Sequence, residues 1–115
     1  MSDKIKVINR GDTLKFYFTI MDFQNTIYRL KDNDAVYLGL MDPKQHFEDA
    51  LLKFKFTAKD QDKDGNILIH FKPEDTLDLF PGTYYYAIKL HRYSKKDKID
   101  EVYTLQNKAK FIIND

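Results

Sequence analysis

The sequence contains no cysteine and no tryptophan, and only three prolines and four glycines among its 115 residues. Without cysteine the chain has neither a disulfide framework nor a thiolate metal site, which fits synthesis in a reducing compartment. Its 19 basic and 18 acidic residues give a net charge of only +1. This balance argues against binding to nucleic acid or to a membrane surface by electrostatic attraction.

Long apolar runs are also missing. No segment approaches the roughly 18 apolar residues of a membrane-spanning helix. The beginning of the chain, "MSDKIKVINRGD", is charged and has no apolar core, so we expect no signal peptide. The length of 115 residues is typical of one domain, and we predict a single domain over residues 1–115.

Aromatic residues are plentiful, at 15% of the chain, and they lie in segments where apolar and polar residues alternate. Alternation with a period of two is typical of a half-buried β-strand. The clearest runs are "TLKFYFTIMD", "AVYLGLMD", "LLKFKFTA", "NILIHF" and "TYYYAIKLHRY", with shorter ones at residues 5–8, 101–105 and 110–113. Turn signals separate the runs, so we predict an all-β antiparallel sandwich or small barrel of about seven to eight strands.

Two segments have helical character. "PEDTLDLF" begins with a proline suited to a first helical position, followed by two acids that favour the positive end of the helix dipole. It predicts one short helical turn. "QHFEDALLKF" contains helix formers around residues 48–51, where a short helix is a second prediction.

The segment "KDQDKDGNILIHF" begins like a calcium loop, with Asp60, Asp62 and Asp64 in alternation. A loop of the EF-hand type also requires a bidentate Glu at position twelve, between two helices. Position twelve is Phe71, and the flanks alternate like strands. We therefore interpret the segment as a solvated loop and predict no metal site, with a weak site on Asp60, Asp62 and Asp64 as the alternative.

A two-residue hairpin turn within this loop would direct carboxylates toward the core, which is costly for unpaired charges. A wider loop avoids this problem. The sequence then predicts a hairpin that pairs Ala58 with Ile67, Phe56 with Ile69 and Phe54 with Phe71.

Catalytic patterns are not apparent. The histidines His46, His70 and His91 have no spacing that places two imidazoles on one metal within a single element. The two serines, Ser2 and Ser94, lie outside any nucleophile-elbow pattern. We expect a protein that is not an enzyme and that needs no cofactor.

Outward tyrosines are the more informative feature. Alternation places Tyr17, Tyr37, Tyr85 and Tyr103 opposite the expected core. Tyrosine is enriched at protein interfaces because it combines a large area with a polar tip, and it also stacks against sugars. The alternative is that these residues form cross-strand pairs that stabilise their own sheet.

Three segments together carry a family resemblance. "FKPEDTLDLFPGTYYYAIKL" at residues 71–90, "RGDTLKFYFTIMD" near the start and "DNDAVYLGLMDP" resemble the N-terminal domain of phage baseplate upper proteins and related tail proteins. The resemblance covers nearly the whole chain, and its motifs determine fold rather than catalysis. It implies an immunoglobulin-like β-sandwich in which Tyr84 acts as a corner tyrosine, its hydroxyl returning to the backbone near the "EDTLDL" turn.

The resemblance also implies a function. The chain is expected to be a phage or prophage virion structural protein, made in the bacterial host cytoplasm, that docks onto other tail or baseplate subunits. We place the interface on Tyr17, Tyr37, Met41 and Tyr85, with self-association as a further option and with neither nucleic acid nor membrane as a partner. The alternative is a carbohydrate-binding β-sandwich of a phage or cell-surface protein, with the tyrosines as a stacking platform.

Overall fold

A computed structural model describes residues 4–115, so residues 1–3 of the predicted domain lie outside the description. This part of the chain is mostly β, which confirms the all-β class. The strands are β1 (Lys6–Asn9), β2 (Leu14–Thr19), β3 (Ala35–Met41), β4 (Leu52–Phe56), β5 (Asn66–Phe71), β6 (Gly82–Ser94) and β7 (Ile99–Asn114). The helix α1 (Pro73–Leu77) lies where "PEDTLDLF" predicts it. None of the helices in residues 4–115 is long and apolar enough to span a membrane.

The strands form two sheets. Five strands make one sheet in the order β1-β7-β6-β3-β4, and β2 pairs with β5 in the other. The expectation of purely antiparallel pairing is wrong, because β1 runs parallel to β7 and places Ile8 beside Ile113. The two short strands predicted at residues 101–105 and 110–113 are parts of β7. That strand stays continuous through two register shifts opposite residues 86–89 of β6.

The predicted hairpin between β4 and β5 is also wrong. Phe56 pairs with Val36 of β3, whereas Ile69 pairs with Phe16 of β2. Residues 57–65 carry the chain from one sheet to the other. This crossing lets both strands bury their apolar faces in the same core, whereas alternation identifies the buried face of a strand but not its neighbour.

The core lies between the inner faces of the two sheets. Its rings meet at Phe71, whose centroid lies 5.0 Å from that of Phe54 and 4.9 Å from that of Phe111. The buried residues occupy the alternate positions that the sequence predicts: Val36, Leu38, Leu40, Ile67, Ile69, Tyr84, Tyr86, Ile88 and Leu90.

Part of the outer face of the five-stranded sheet is covered by the connection between β3 and β4. Its 3₁₀ turn, Phe47–Asp49, lies slightly before the predicted helical segment. A Cβ atom on Gly39 would lie 2.9 Å from the ring of Phe47, so the ring packs directly on the sheet. The prediction that Met41 belongs to an exposed interface is therefore wrong, because 0% of its surface is exposed.

Candidate functional site

The structure separates the predicted interface residues into two groups. Tyr37, Met41 and Tyr85 share the outer face of the five-stranded sheet, where Met41 and Tyr85 are direct cross-strand partners. Tyr17 lies on the outer face of the two-stranded sheet, opposite Leu68. Tyr17 is 66% exposed, whereas Tyr37 and Tyr85 are half-buried. The four residues therefore do not form one surface.

Lysines from three strands surround the first group. Lys55 and Lys89 flank Tyr37 on its two neighbouring strands, and Lys110 lies opposite Tyr85. Directly opposite residues point to the same side of a sheet, so these cations and rings share one surface. We call this surface the basic-aromatic face. It comprises Tyr37, Phe47, Lys53, Lys55, Tyr85, Lys89, Lys108 and Lys110.

Two cation–π contacts position lysine side chains on this face. The Nζ of Lys89 lies 4.7 Å from the ring centroid of Phe47, and the Nζ of Lys55 lies 6.0 Å from that of Tyr37. Such cation–π contacts fix lysine side chains over aromatic surface while the ammonium groups stay in water. The face can attract an acidic partner and offers it apolar area for close packing.

Phe47 is the member of this face that sequence reasoning missed. It lies in a connection rather than in an alternating run, so strand periodicity carries no information about it. The small side chains beneath it are a weaker signal. Gly39 and Ala87 interrupt two runs of large residues at paired positions, and such a gap favours a ring inserted from elsewhere.

A second surface lies at the far end of the β6–β7 hairpin. It is an apolar groove of about 480 Å³. Phe23 stands on its rim and is 95% exposed. We call it the aromatic groove; its lining is Ile20, Met21, Asp22, Phe23, Tyr28, Leu90, Arg92, Tyr103 and Leu105.

The rim is built by a tight turn. The Oδ1 of Asp22 accepts hydrogen bonds from the backbone N–H groups of Gln24 at 2.9 Å and Thr26 at 3.0 Å. Asn25 adopts a left-handed conformation with φ of 60°, which asparagine tolerates better than most residues. The turn therefore presents Phe23 to solvent on a fixed backbone.

Tyr103 differs from its predicted placement. It lies directly opposite Leu90 and so points to the core side of the sheet, although 46% of its surface is exposed. The two register shifts between residues 104 and 109 each insert one residue into β7, so they cancel and Tyr103 keeps the core-side face of Phe111. The β2–β5 sheet does not cover this end of the hairpin, so the side chain faces the aromatic groove instead.

A polar network lies behind the groove. The hydroxyl of Tyr28 donates to Oδ2 of the buried Asp34 at 2.6 Å. The guanidinium of Arg92 lies 5.7 Å from the Tyr28 ring and 3.5 Å from Oε1 of Glu101. The hydroxyl of Tyr103 donates to the same Glu101 oxygen at 3.0 Å. Among the described residues, the buried Nε of Arg92 has no hydrogen-bond partner.

This network shifts the proton affinity of its members. Burial, together with the bond to Asp34, raises the pKa of Tyr28 from 10.0 to about 12. The bond to Glu101 raises the pKa of Tyr103. For Tyr28 the main cause is burial, which disfavours the charged phenolate, whereas for Tyr103 it is the bond to Glu101, because ionisation would place a phenolate against a carboxylate.

In the acidic loop, the carboxylates of Asp60 and Asp62 accept hydrogen bonds from the backbone. Oδ2 of Asp60 accepts from the N–H of Thr57 at 2.8 Å. Oδ1 of Asp62 accepts from the N–H groups of Asp64 and Asn66 at 2.9 and 2.8 Å. In the described part of the chain, no group of three histidine or acidic side chains is placed to hold a metal ion.

Comparison with known proteins identifies no relative of this chain: it matches no protein-family model, no curated protein and no solved structure.

We predict that calcium at about 1 mM, the weak end of the range for such loops, leaves the melting temperature unchanged. Asp60 and Asp62 already accept backbone hydrogen bonds, and the loop would lose these bonds if it rearranged around an ion. Thermal melts with calcium and with chelator test this. Calcium-dependent stabilisation that disappears in Asp62→Ala would contradict the loop interpretation.

A pH dependence follows from Tyr28. Because its pKa is raised from 10.0 to about 12, its contribution to folding stability is complete below pH 10 and is lost as the pH rises through 12. The measurement is urea unfolding of the wild type and Tyr28→Phe from about pH 8 to 12. The wild type should be more stable at the lower end by about 1 kcal/mol, the usual contribution of a hydrogen bond. A stability difference that stays constant over the whole range would exclude this titration.

Proposed function

We propose that this chain is a non-catalytic docking module of a phage or prophage tail or baseplate, with an immunoglobulin-like sandwich fold. The observation that carries the proposal is the basic-aromatic face, where five lysines are interleaved with Tyr37, Phe47 and Tyr85. Recognition by such a face rests on charge and shape rather than on reactive groups. The partner is a tail or baseplate subunit with an acidic docking surface.

The arrangement of the two sheets supports the fold part of this proposal. The strands of the two sheets enclose one core, and the crossing from β4 to β5 changes sheets as in sandwich folds. The hydroxyl of Tyr84 donates to the carbonyl of Phe80 at 2.6 Å, immediately after the "EDTLDL" turn. A tyrosine that bonds to backbone a few residues upstream is a feature of immunoglobulin-like corners.

The proposed attraction of an acidic partner is supported by the uneven distribution of charge over the molecule. The whole chain carries a net charge of only +1, yet Lys53, Lys55, Lys89, Lys108 and Lys110 project from one face, where Glu48 beside Phe47 offsets only part of their charge. Concentrated charge of one sign accelerates encounter with a complementary surface and orients the partner. The half-buried tyrosines then supply area that is rigid before binding, which lowers the entropy lost on association.

Substitutions at Tyr85 and Tyr86 can distinguish an effect on docking from an effect on folding, because these neighbouring side chains point to opposite sides of β6. The Tyr86 ring packs 6.2 Å from Phe16 and 6.3 Å from Phe111. We expect Tyr86→Ala to destabilise the fold by about 3–5 kcal/mol. Tyr85→Ala should change stability by about 1 kcal/mol at most and should still weaken binding to the tail partner.

The experiment combines melting curves with sedimentation against the tail and baseplate proteins encoded beside this gene. Lys110→Glu should weaken the same binding about tenfold, whereas Lys63→Glu, an equal charge change on the acidic loop, should not. If Tyr85→Ala unfolds the protein as severely as Tyr86→Ala, the face assignment is wrong. If Tyr85→Ala and Lys110→Glu both bind normally, or if an oligonucleotide binds the face instead, the docking proposal is wrong.

The aromatic groove favours a second function, carbohydrate binding. Its volume of about 480 Å³ lies in the range of roughly 300–1,000 Å³ typical of ligand sites. Phe23, Tyr28 and Tyr103 provide rings against which a sugar could stack. Arg92 and Asp22 provide hydrogen-bonding groups beside them.

A glycan array and a pull-down with cell-wall polysaccharide test this second function. Binding that is lost in both Phe23→Ala and Tyr103→Ala, and kept in Tyr85→Ala, would identify the module as carbohydrate-binding. Absence of binding to every glycan would exclude the groove as a sugar site.

A further inference from the structure

The edge strand β2 is open on one side. Within residues 4–115, its backbone hydrogen-bonds to β5 alone. A groove of about 260 Å³ runs beside it, and its lining includes Phe16, Tyr17 and Phe18 of β2 together with Lys4 and Lys6. The core-facing rings of Phe16 and Phe18 are only half-buried. Six residues of free strand edge next to incompletely covered rings are a template for pairing with another strand.

The other sheet edges are each obstructed. On β4, Lys53 and Lys55 alternate on one face, so pairing of this strand with itself would set lysine against lysine. The free side of β5 is bridged by Gln61 at Ile67, which leaves only the last four residues of this strand without a partner on that side among the described residues. The strand β1 has only four residues, and very short edges resist pairing. The six residues of β2 are therefore the longest unobstructed edge in the described part of the chain.

We propose that two copies of this chain pair through β2 in antiparallel orientation, giving a continuous sheet in the order β5-β2-β2-β5. The sequence of the strand, "LKFYFT", is complementary to itself in this orientation. Residues directly opposite each other must point to the same face of the sheet. The two-fold axis therefore has to lie between the two copies of one residue, so that this residue pairs with itself.

The axis at Phe16 gives the most favourable pairs. Leu14 then lies opposite the partner's Phe18, and Phe16 lies opposite its own copy, so the β2 side chains paired on the core-facing side are all apolar, with the Nζ of Lys6 4.3 Å from the centroid of the Phe16 ring. On the outer side, Lys15 lies opposite the partner's Tyr17, and this cation–aromatic pair occurs twice. The dimer covers the half-buried rings and pairs the free backbone groups. It uses the opposite side of the molecule from the basic-aromatic face, so it is independent of the proposed docking function.

Sedimentation equilibrium of the full chain over a range of concentrations tests the pairing. The wild type should form a reversible dimer. Tyr17→Lys should weaken it at least tenfold, because two lysine–lysine pairs replace the two Lys15–Tyr17 pairs. The double variant Lys15→Glu/Tyr17→Lys should restore it, because glutamate then faces lysine. Tyr17 is well exposed, so these variants should fold, and circular dichroism checks that they do.

Leu68→Lys is the matched control. It lies beside Tyr17 on the same outer face but on β5, away from the axis, and should leave the dimer intact. A wild type that remains monomeric up to about 1 mM, or a Tyr17→Lys variant that dimerises like the wild type, would overturn the proposal. Failure of the double variant to recover would exclude the axis at Phe16.

Discussion

The structure depends on Phe71 joining the two sheets. The residue ends β5 in the smaller sheet, and its ring contacts Phe54 and Phe111 from two strands of the larger one. Aromatic pairs at these separations add to the stabilisation gained from burying their area. Directly after Phe71 the chain enters α1, and the buried hydroxyl of Thr76 accepts from the N–H of Gly11 at 2.9 Å. The loops at this end of the molecule are therefore positioned by the same junction.

The smaller sheet covers only part of the inner face of the larger sheet, because the two sheets differ in width. A two-stranded sheet cannot cover five strands, so the inner faces at the margins find other cover or remain partly open. At the far end of the β6–β7 hairpin, the uncovered inner face forms the wall of the aromatic groove, which holds Tyr103 and Arg92. Beside β2, the same mismatch leaves Phe16 and Phe18 half-buried next to an open edge. Both surfaces arise from one geometric constraint.

The basic-aromatic face has a different origin. The outer side of a sheet normally carries polar residues, and the lysines at alternate positions of β4 are the ordinary way to keep an edge strand soluble. The insertion of Phe47 over Gly39 adds an apolar patch to that charged surface. Cation–π contact between Phe47 and Lys89 then combines the two features, which makes the surface suited to a partner with both acidic and apolar groups.

The sequence determined the positions and buried faces of the strands, because alternation along a single segment reports which side is apolar. It also determined the short helix, since a proline followed by acids favours a helical start. Tertiary structure decided which strands pair. The register of β5 against β2, the parallel pairing of β1 and the sheet change after β4 all depend on contacts between segments distant along the chain. The burial of Met41 was likewise decided by a loop that no strand pattern predicts. The face of Tyr103 was not readable from "EVYTL" either, because Val102 and Tyr103 are both large and apolar, and only the pairing of Tyr103 with Leu90 decides which of them faces the core.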